Sequence, residues 1–289
     1  MTALVLDGAA MGRKVLAELA PRVVALERSG VKPGLATVLV GNHPASGVYV
    51  RNKVRACAGA GLHAEVHELE ADCGEAALLT RIDALNRDSA IHGIIVQLPL
   101  PRGIDTQRVL QAIALKKDVD GFNWSNLGAI VEGHPQLVPC TALGVLRMLD
   151  QAQVRIEGRH AVVIGRSSIV GKPIALLLIA RGATVTVCNS KTVDLASYTR
   201  SADLLIAAAG RAKLVTADMV KAGAVVVDVG INRLPDGKLT GDVDYEAVCT
   251  KAAAISPVPG GVGRMTVAML VENTVLAAER QLTTRTELP

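Results

Sequence analysis

The sequence predicts an α/β fold in two domains, each a parallel sheet covered by helices on both faces. Three observations predict it. Short apolar, β-branched runs alternate with segments of helical spacing. That rhythm breaks once, over the polar, glycine-punctuated stretch 116–139. It resumes at Arg159 with an apolar strand that ends in Gly165. The natural cut is therefore 1–120 and 121–289.

Taken in order, 8–29 has amphipathic helical spacing, with Pro21 expected to kink or interrupt it. Residues 35–40 form a β-branched run closed by Gly41, a buried-strand pattern. Ser46 is placed to cap a helix reaching Ala60, which Gly61 would end. Residues 64–69 alternate as a strand, 75–86 return to helical spacing, and 91–98 are an apolar strand stopped by Pro99 and Pro101. The stretch 116–139 reads as irregular, and 141–150 as a bridging helix. In the second half, strands are expected at 160–164, 184–187, 204–208 and 224–229, with helices between them. Pro235-Asp236-Gly237 predicts a hairpin over 232–239. Residues 265–280 form a last helix, free to pack back on the first domain.

Composition narrows the function classes. Half of the 289 residues are hydrophobic, enough for substantial cores. The net charge of +4 favours anionic ligands, but no basic stripe exists and aromatics are only 2%, which argues against a nucleic-acid partner. The five cysteines are odd in number, widely spaced and without a C-x-x-C, as in a reducing cytoplasm. The first residues lack a basic-then-apolar leader, and no apolar run approaches the ~20 residues that span a bilayer. The expectation is a cytoplasmic protein without a membrane partner.

Several motifs carry chemistry. Ala161-Val-Val-Ile-Gly165, followed by Arg166-Ser-Ser-Ile-Val-Gly171, is a strand, glycine turn and helix start of the kind that binds a pyrophosphate. Ser167 occupies the second glycine position and Gly171 falls one place late, so an ordinary βα turn also fits. The next strand ends Val187-Cys-Asn-Ser-Lys-Thr192 without the carboxylate that holds a ribose in NAD sites. Ser190, Lys191 and Arg166 suit a ribose phosphate; Lys191 also suits plain solvent exposure. Tyr49 and Lys53 share a helix face, as site residues or as surface neighbours. Gln97 ends a buried strand, where it caps backbone or faces a site. Asp118 and Asp120 form either a turn or an acceptor pair for an amidine-like heterocycle edge. Pro257 to Gly263 is a shaped loop rich in proline and glycine. His63 and His67 lie in a strand-like segment without a third ligand, so no metal is expected.

Together these stretches, with Gln97-Leu-Pro-Leu-Pro101, Lys117-Asp-Val-Asp-Gly-Phe122, Pro139-Cys-Thr141 and Asp228-Val-Gly-Ile-Asn-Arg233, resemble the bifunctional methylene-tetrahydrofolate dehydrogenase/cyclohydrolases. They occur in that family's order over about 33–275. The resemblance implies an N-terminal α/β folate-binding catalytic domain, a C-terminal Rossmann-like NADP-binding domain, an active cleft between them and a homodimer. It implies tetrahydrofolate substrates and a place in one-carbon metabolism. It implies that Lys53 is the central catalytic group, oriented by Gln97. Tyr49 would lie against the pterin, and Asp120, with Asp118, would hold its donor edge. Leu98, Pro99 and the loop Pro259, Gly260, Gly261, Val262, Gly263 would border the folate. Gly165, Arg166, Ser167, Ser190 and Ile231 would line the NADP site. Two positions depart from the family's pattern: Ala142 and Arg264 stand where it commonly has proline. Two rival readings are a dehydrogenase lacking hydrolysis, or acting on a different small substrate on a related two-domain scaffold, and a catalytically silent NADP-binding module. Gln97 and Lys53 together argue against the first, and the set Tyr49, Lys53, Gln97 and Asp120 against the second.

Overall fold

A computed structural model of the chain describes residues 2–41 and 44–286, without the side chains of 44–46, 48 and 284–286. Its strands are β1 (Leu4–Val5), β2 (Gly34–Val40), β3 (His63–Leu69), β4 (Gly93–Val96), β5 (His160–Ile164), β6 (Thr184–Cys188), β7 (Leu204–Ala207), β8 (Val225–Asp228), β9 (Asn232–Arg233), β10 (Leu239–Thr240) and β11 (Ala254–Ile255). Its α-helices are α1 (Gly8–Arg28), α2 (Pro44–Gly59), α3 (Gly74–Arg87), α4 (Thr106–Ala112), α5 (Trp124–Val131), α6 (Cys140–Gln151), α7 (Gly171–Ala180), α8 (Leu195–Thr199), α9 (Tyr245–Cys249) and α10 (Val262–Thr286). Among the described residues no helix is long and apolar enough to cross a membrane.

The chain forms two compact units, each made of two segments: Met1–Arg13 with Thr141–Thr266, and Lys14–Cys140 with Val267–Pro289. This differs from the single cut at 120/121 read from the sequence. The first residues join the later unit because β1 pairs with β11, Leu4 against Ala254. Residues 121–140 stay with the earlier one because Asn273 of α10 donates to the carbonyls of both Val119 (2.8 Å) and Val138 (2.9 Å).

The three-stranded unit holds the parallel sheet β3-β2-β4. Every residue of central β2 is buried, which is why it reads as a continuous apolar run rather than an alternating one. Ala36, Val38 and Val40 share a core with Leu78, Ile82 and Leu85, spaced along one face of α3, and with Val109 and Leu110 of α4. Helix α1 continues through Pro21, contrary to the expected interruption. Pro21 is exposed, while Val15, Leu19, Val23 and Leu26 bury one stripe that holds the helix across the missing hydrogen bond. Helix α2 begins at Pro44, so Ser46 lies inside its first turn rather than ahead of it. The stretch expected to be irregular contains α5, started by the Asn123 side chain accepting from Ser125 N and anchored by buried Asn126 and Ile130.

The six-stranded unit holds a parallel sheet in the order β1-β11-β8-β7-β5-β6. Its core joins Val162 and Ile164, Leu205 and Ala207, Val226 and Ile255 to Val243, Val248 and Ala3. β9 and β10 form the expected antiparallel hairpin around Pro235-Asp236-Gly237. Two-residue β1 has no sequence signature, because only its distant partner makes it a strand.

Candidate active site

In the three-stranded unit, α2 carries Tyr49 and Lys53 one turn apart. Tyr49 is exposed and Lys53 half-buried. Lys53 Nζ donates to Gln97 Oε1 at 3.2 Å. The other end of that amide is also fixed: Gln97 Nε2 donates to the Leu98 carbonyl at 2.7 Å, and Gln97 N to the Val38 carbonyl at 2.9 Å. Gln97 thus sits at the carboxyl end of the sheet with its oxygen committed to the ammonium. Leu98 is half-buried and Pro99 exposed, joined by a cis peptide bond.

The Asp118–Asn123 turn supplies the acid. Asp118 does not present a free edge, as the resemblance implied. It is buried, and its oxygens accept from Phe122 N (3.2 Å), Asn123 N (2.7 Å) and Asn126 Nδ2 (2.8 Å). It organises the turn that presents Asp120. Gly121 takes φ +70°, and a Cβ there would meet Val138 C and Pro139 N at 2.6 Å, so only glycine lets this turn approach 138–140. Burial pushes the Asp120 carboxyl above the ordinary range, opposed by the Lys53 ammonium and a hydrogen bond from the Cys140 thiol. Burial and the Asp120 charge push that thiol well up, so it stays a protonated donor; its Sγ also lies 3.2 Å from the Val119 carbonyl. Cys57, one turn beyond Lys53, is pushed by burial to about 12.

Lys53, Gln97, Asp120 and Cys140 therefore form one cluster. A primary amine held by an amide oxygen and facing a carboxylate can hold or pass a proton. Sequence reasoning missed that Cys140 belongs to it and that Asn273 ties the turn down. Its one signal for Asn273 is the polar Glu272-Asn273-Thr274 step inside an apolar helix. On β3, His63 and His67 both face Glu65, with Nε2–O distances of 3.5 and 2.6 Å.

In the six-stranded unit, Gly165 follows β5 directly, with φ +126°. A Cβ there would strike the Ala208 carbonyl, and one at Gly171 would strike the Gly165 carbonyl. The turn is thus closed so tightly that α7 starts directly on the strand end. Arg166 and Ser167 are exposed, and Ser167 Oγ accepts from Gly171 N at 3.4 Å. Ser190 and Lys191 are exposed just past β6, and Ile231, 44% exposed, lies between β8 and β9. This cradle fits a dinucleotide: glycine where side chains would block, exposed hydroxyls and cations, and no carboxylate over 187–192.

The loop Pro257–Gly261 contains the cis Val258–Pro259 bond and rests on α1, with Ala9 N donating to the Gly260 carbonyl at 3.1 Å. Val262 and Gly263 belong to α10, which starts three residues before the expected Met265. Arg264 is exposed in its first turn; Ala142 is buried in the first turn of α6.

The model of the tetrahydrofolate dehydrogenase/cyclohydrolase catalytic domain matches residues 6–120, and that of the same family's NAD(P)-binding domain matches 139–282. The chain is 59% identical over 283 residues to the bifunctional protein FolD of Bordetella avium, covering 98% of this chain and 100% of that one. It is similar to the solved bifunctional FolD methylenetetrahydrofolate dehydrogenase/cyclohydrolase of Campylobacter jejuni, with TM-score 0.95 and 48% identity over 96% of this chain and 99% of that one. It is also similar to the Trypanosoma brucei enzyme, solved with NADP cofactor and inhibitor, with TM-score 0.94 and 40% identity over 98% and 99% of the two chains. The chain belongs to the tetrahydrofolate dehydrogenase/cyclohydrolase family.

Proposed function

We propose that this chain oxidises methylene-tetrahydrofolate to methenyl-tetrahydrofolate with NADP and then hydrolyses the product to formyl-tetrahydrofolate. The observation that carries the reading is Lys53 held on Gln97 Oε1 and facing Asp120. Bound at the Gly165 turn, NADP would supply the acceptor for the hydride of the methylene carbon. Gly165, Arg166, Ser167, Ser190 and Ile231 would hold that cofactor, and the absent acid after β6 would leave room for a ribose phosphate. Asp120 accepts from the pterin's donor edge, and Tyr49 lies against the ring. Leu98 and Pro99 border the substrate beside Gln97.

In the second step, water adds to the methenyl carbon and the bond from that carbon to one ring nitrogen breaks. One water proton reaches the departing nitrogen and the other leaves to solvent. Lys53 Nζ, kept in place by Gln97, relays the proton. A homodimer and a reducing cytoplasm belong to the same reading; the five free cysteines, four of them buried, support the second.

The test is incubation of the purified protein with methylene-tetrahydrofolate and either NADP or NAD. Reduced cofactor should appear with a methenyl chromophore that decays faster than in buffer, and NADP should give the higher kcat/KM. Methenyl-tetrahydrofolate decaying at the buffer rate would remove the hydrolase half. Preference for NAD would remove the phosphate argument.

A further inference from the structure

Two buried aspartates with no part in this chemistry sit together in the six-stranded unit. Asp228 ends β8 and Asp242 follows β10, exposed 3% and 0%. Asp228 accepts from Gly230 N (2.9 Å), Asp242 N (2.9 Å) and Val243 N (2.8 Å). Asp242 accepts from Ala209 N (2.6 Å), Gly210 N (2.9 Å), Arg211 N (2.8 Å) and Asn232 Nδ2 (2.8 Å). Three consecutive main-chain N–H groups converging on one point make a site that ordinarily takes an anion. Here the anion is the protein's own side chain.

What this carboxylate holds is informative. Residues 208–211 leave β7 at the carboxyl edge of the sheet, and the Ala208 carbonyl is the atom that closes over Gly165. Gly230 and Asn232 flank Ile231. A Cβ at Gly230 would strike the Asp242 carboxylate, so the contact is packed as well as hydrogen-bonded. One buried group therefore joins the β7 exit to the segment carrying Ile231, and both border the edge where a dinucleotide binds in such sheets.

We propose that Asp242 is a positioning residue for the cofactor. It touches no ligand. It fixes segments 208–211 and 230–232 in advance, so that NADP binds without first ordering them. This rests on the reading of that edge as the NADP site. Asp242→Asn replaces an acceptor oxygen with a donor facing backbone N–H groups, and the two segments must part. Asn232→Ala removes one strand of the tie and leaves the carboxylate in place.

The experiment measures NADP binding by titration calorimetry, methenyl-tetrahydrofolate hydrolysis without NADP, and thermal midpoint, for the wild type and both variants. The NADP Kd should rise about tenfold or more in Asp242→Asn, the scale of one lost charge-assisted hydrogen bond, and about threefold in Asn232→Ala. Hydrolysis should stay within about twofold of wild type in both, because the change acts through cofactor affinity. Folded Asp242→Asn with wild-type Kd overturns the proposal. So does a parallel fall of NADP binding, hydrolysis and midpoint, which marks a general scaffold contact. If Asp242→Asn does not fold, an unchanged Kd in Asn232→Ala is enough to overturn it. A wild type that binds no NADP overturns the functional reading itself.

Discussion

Lys53 lies beside the Gln97 amide oxygen, the Asp120 carboxylate and two thiols, Cys140 and Cys57 one turn along the same helix. Hydride transfer needs alignment, whereas hydrolysis also needs a proton moved, and general acid–base help is worth ~10²–10⁴-fold. Lys53→Met should therefore lower hydrolysis far more than NADP reduction, with methenyl-tetrahydrofolate accumulating. Lys53→Arg should not restore hydrolysis, because guanidinium does not release its proton at accessible pH. Separate assays of the two steps decide this; equal losses in both, or an active Arg variant, would reduce Lys53 to a positioning charge. Asp120→Asn turns part of an acceptor edge into a donor. Folate affinity should fall while NADP affinity holds, measured by titration of each ligand; matched losses would mark Asp120 as structural. At this scale the sequence was legible where a polar residue interrupts an apolar pattern, as at Gln97. It was not legible for Asp118, whose partners at 122, 123 and 126 turn it inward, nor for Asp242, which reads as an ordinary residue after a hairpin.

Secondary-structure elements were legible where burial is one-sided or complete. β2 shows itself because both faces are covered, and α3 because its buried residues recur every three or four positions. Helix α5 was missed because eight residues rest on a cap and two buried side chains rather than on a long stripe. The junction of β8 with the hairpin carries a pH signature. Burial lifts Asp228 from 3.8 to about 6, against hydrogen bonds from Asp242, Val243 and Gly230 N–H groups that favour the charge, with the neighbouring Asp242 carboxylate adding to the rise. A raised carboxyl means that the folded state holds its proton longer than the unfolded chain. Its contribution is full below about pH 4 and is lost as pH rises through about 6, a change of ~3 kcal/mol. Denaturant melts of wild type and Asp228→Asn across pH 4–6 test it. The variant, though less stable overall, should lack this downward slope; parallel curves would exclude Asp228 as its source.

At the scale of the whole chain, neither unit is a continuous segment. Cutting at 120/121 leaves 121–289 without β1 and without buried Ala3 and Leu6. It leaves 1–120 without Asn273 and the rest of α10. Loss of a side chain such as Leu6 alone is worth ~2–5 kcal/mol, comparable with much of a domain's net stability. Each fragment expressed alone should give no cooperative thermal transition, and 121–289 should not bind NADP; a fragment that melts cooperatively and binds with full affinity would refute this. The cut looked natural because family-like motifs and the polar stretch both change there, whereas β1 is defined by a partner far along the chain. That pairing also sets a schedule. On a ribosome adding about 5–20 residues per second, Leu4 is added some 12–50 s before Ala254 exists to meet it. For that interval the nascent chain carries an unpaired apolar N-terminal segment, a period in which a holdase has something to grip.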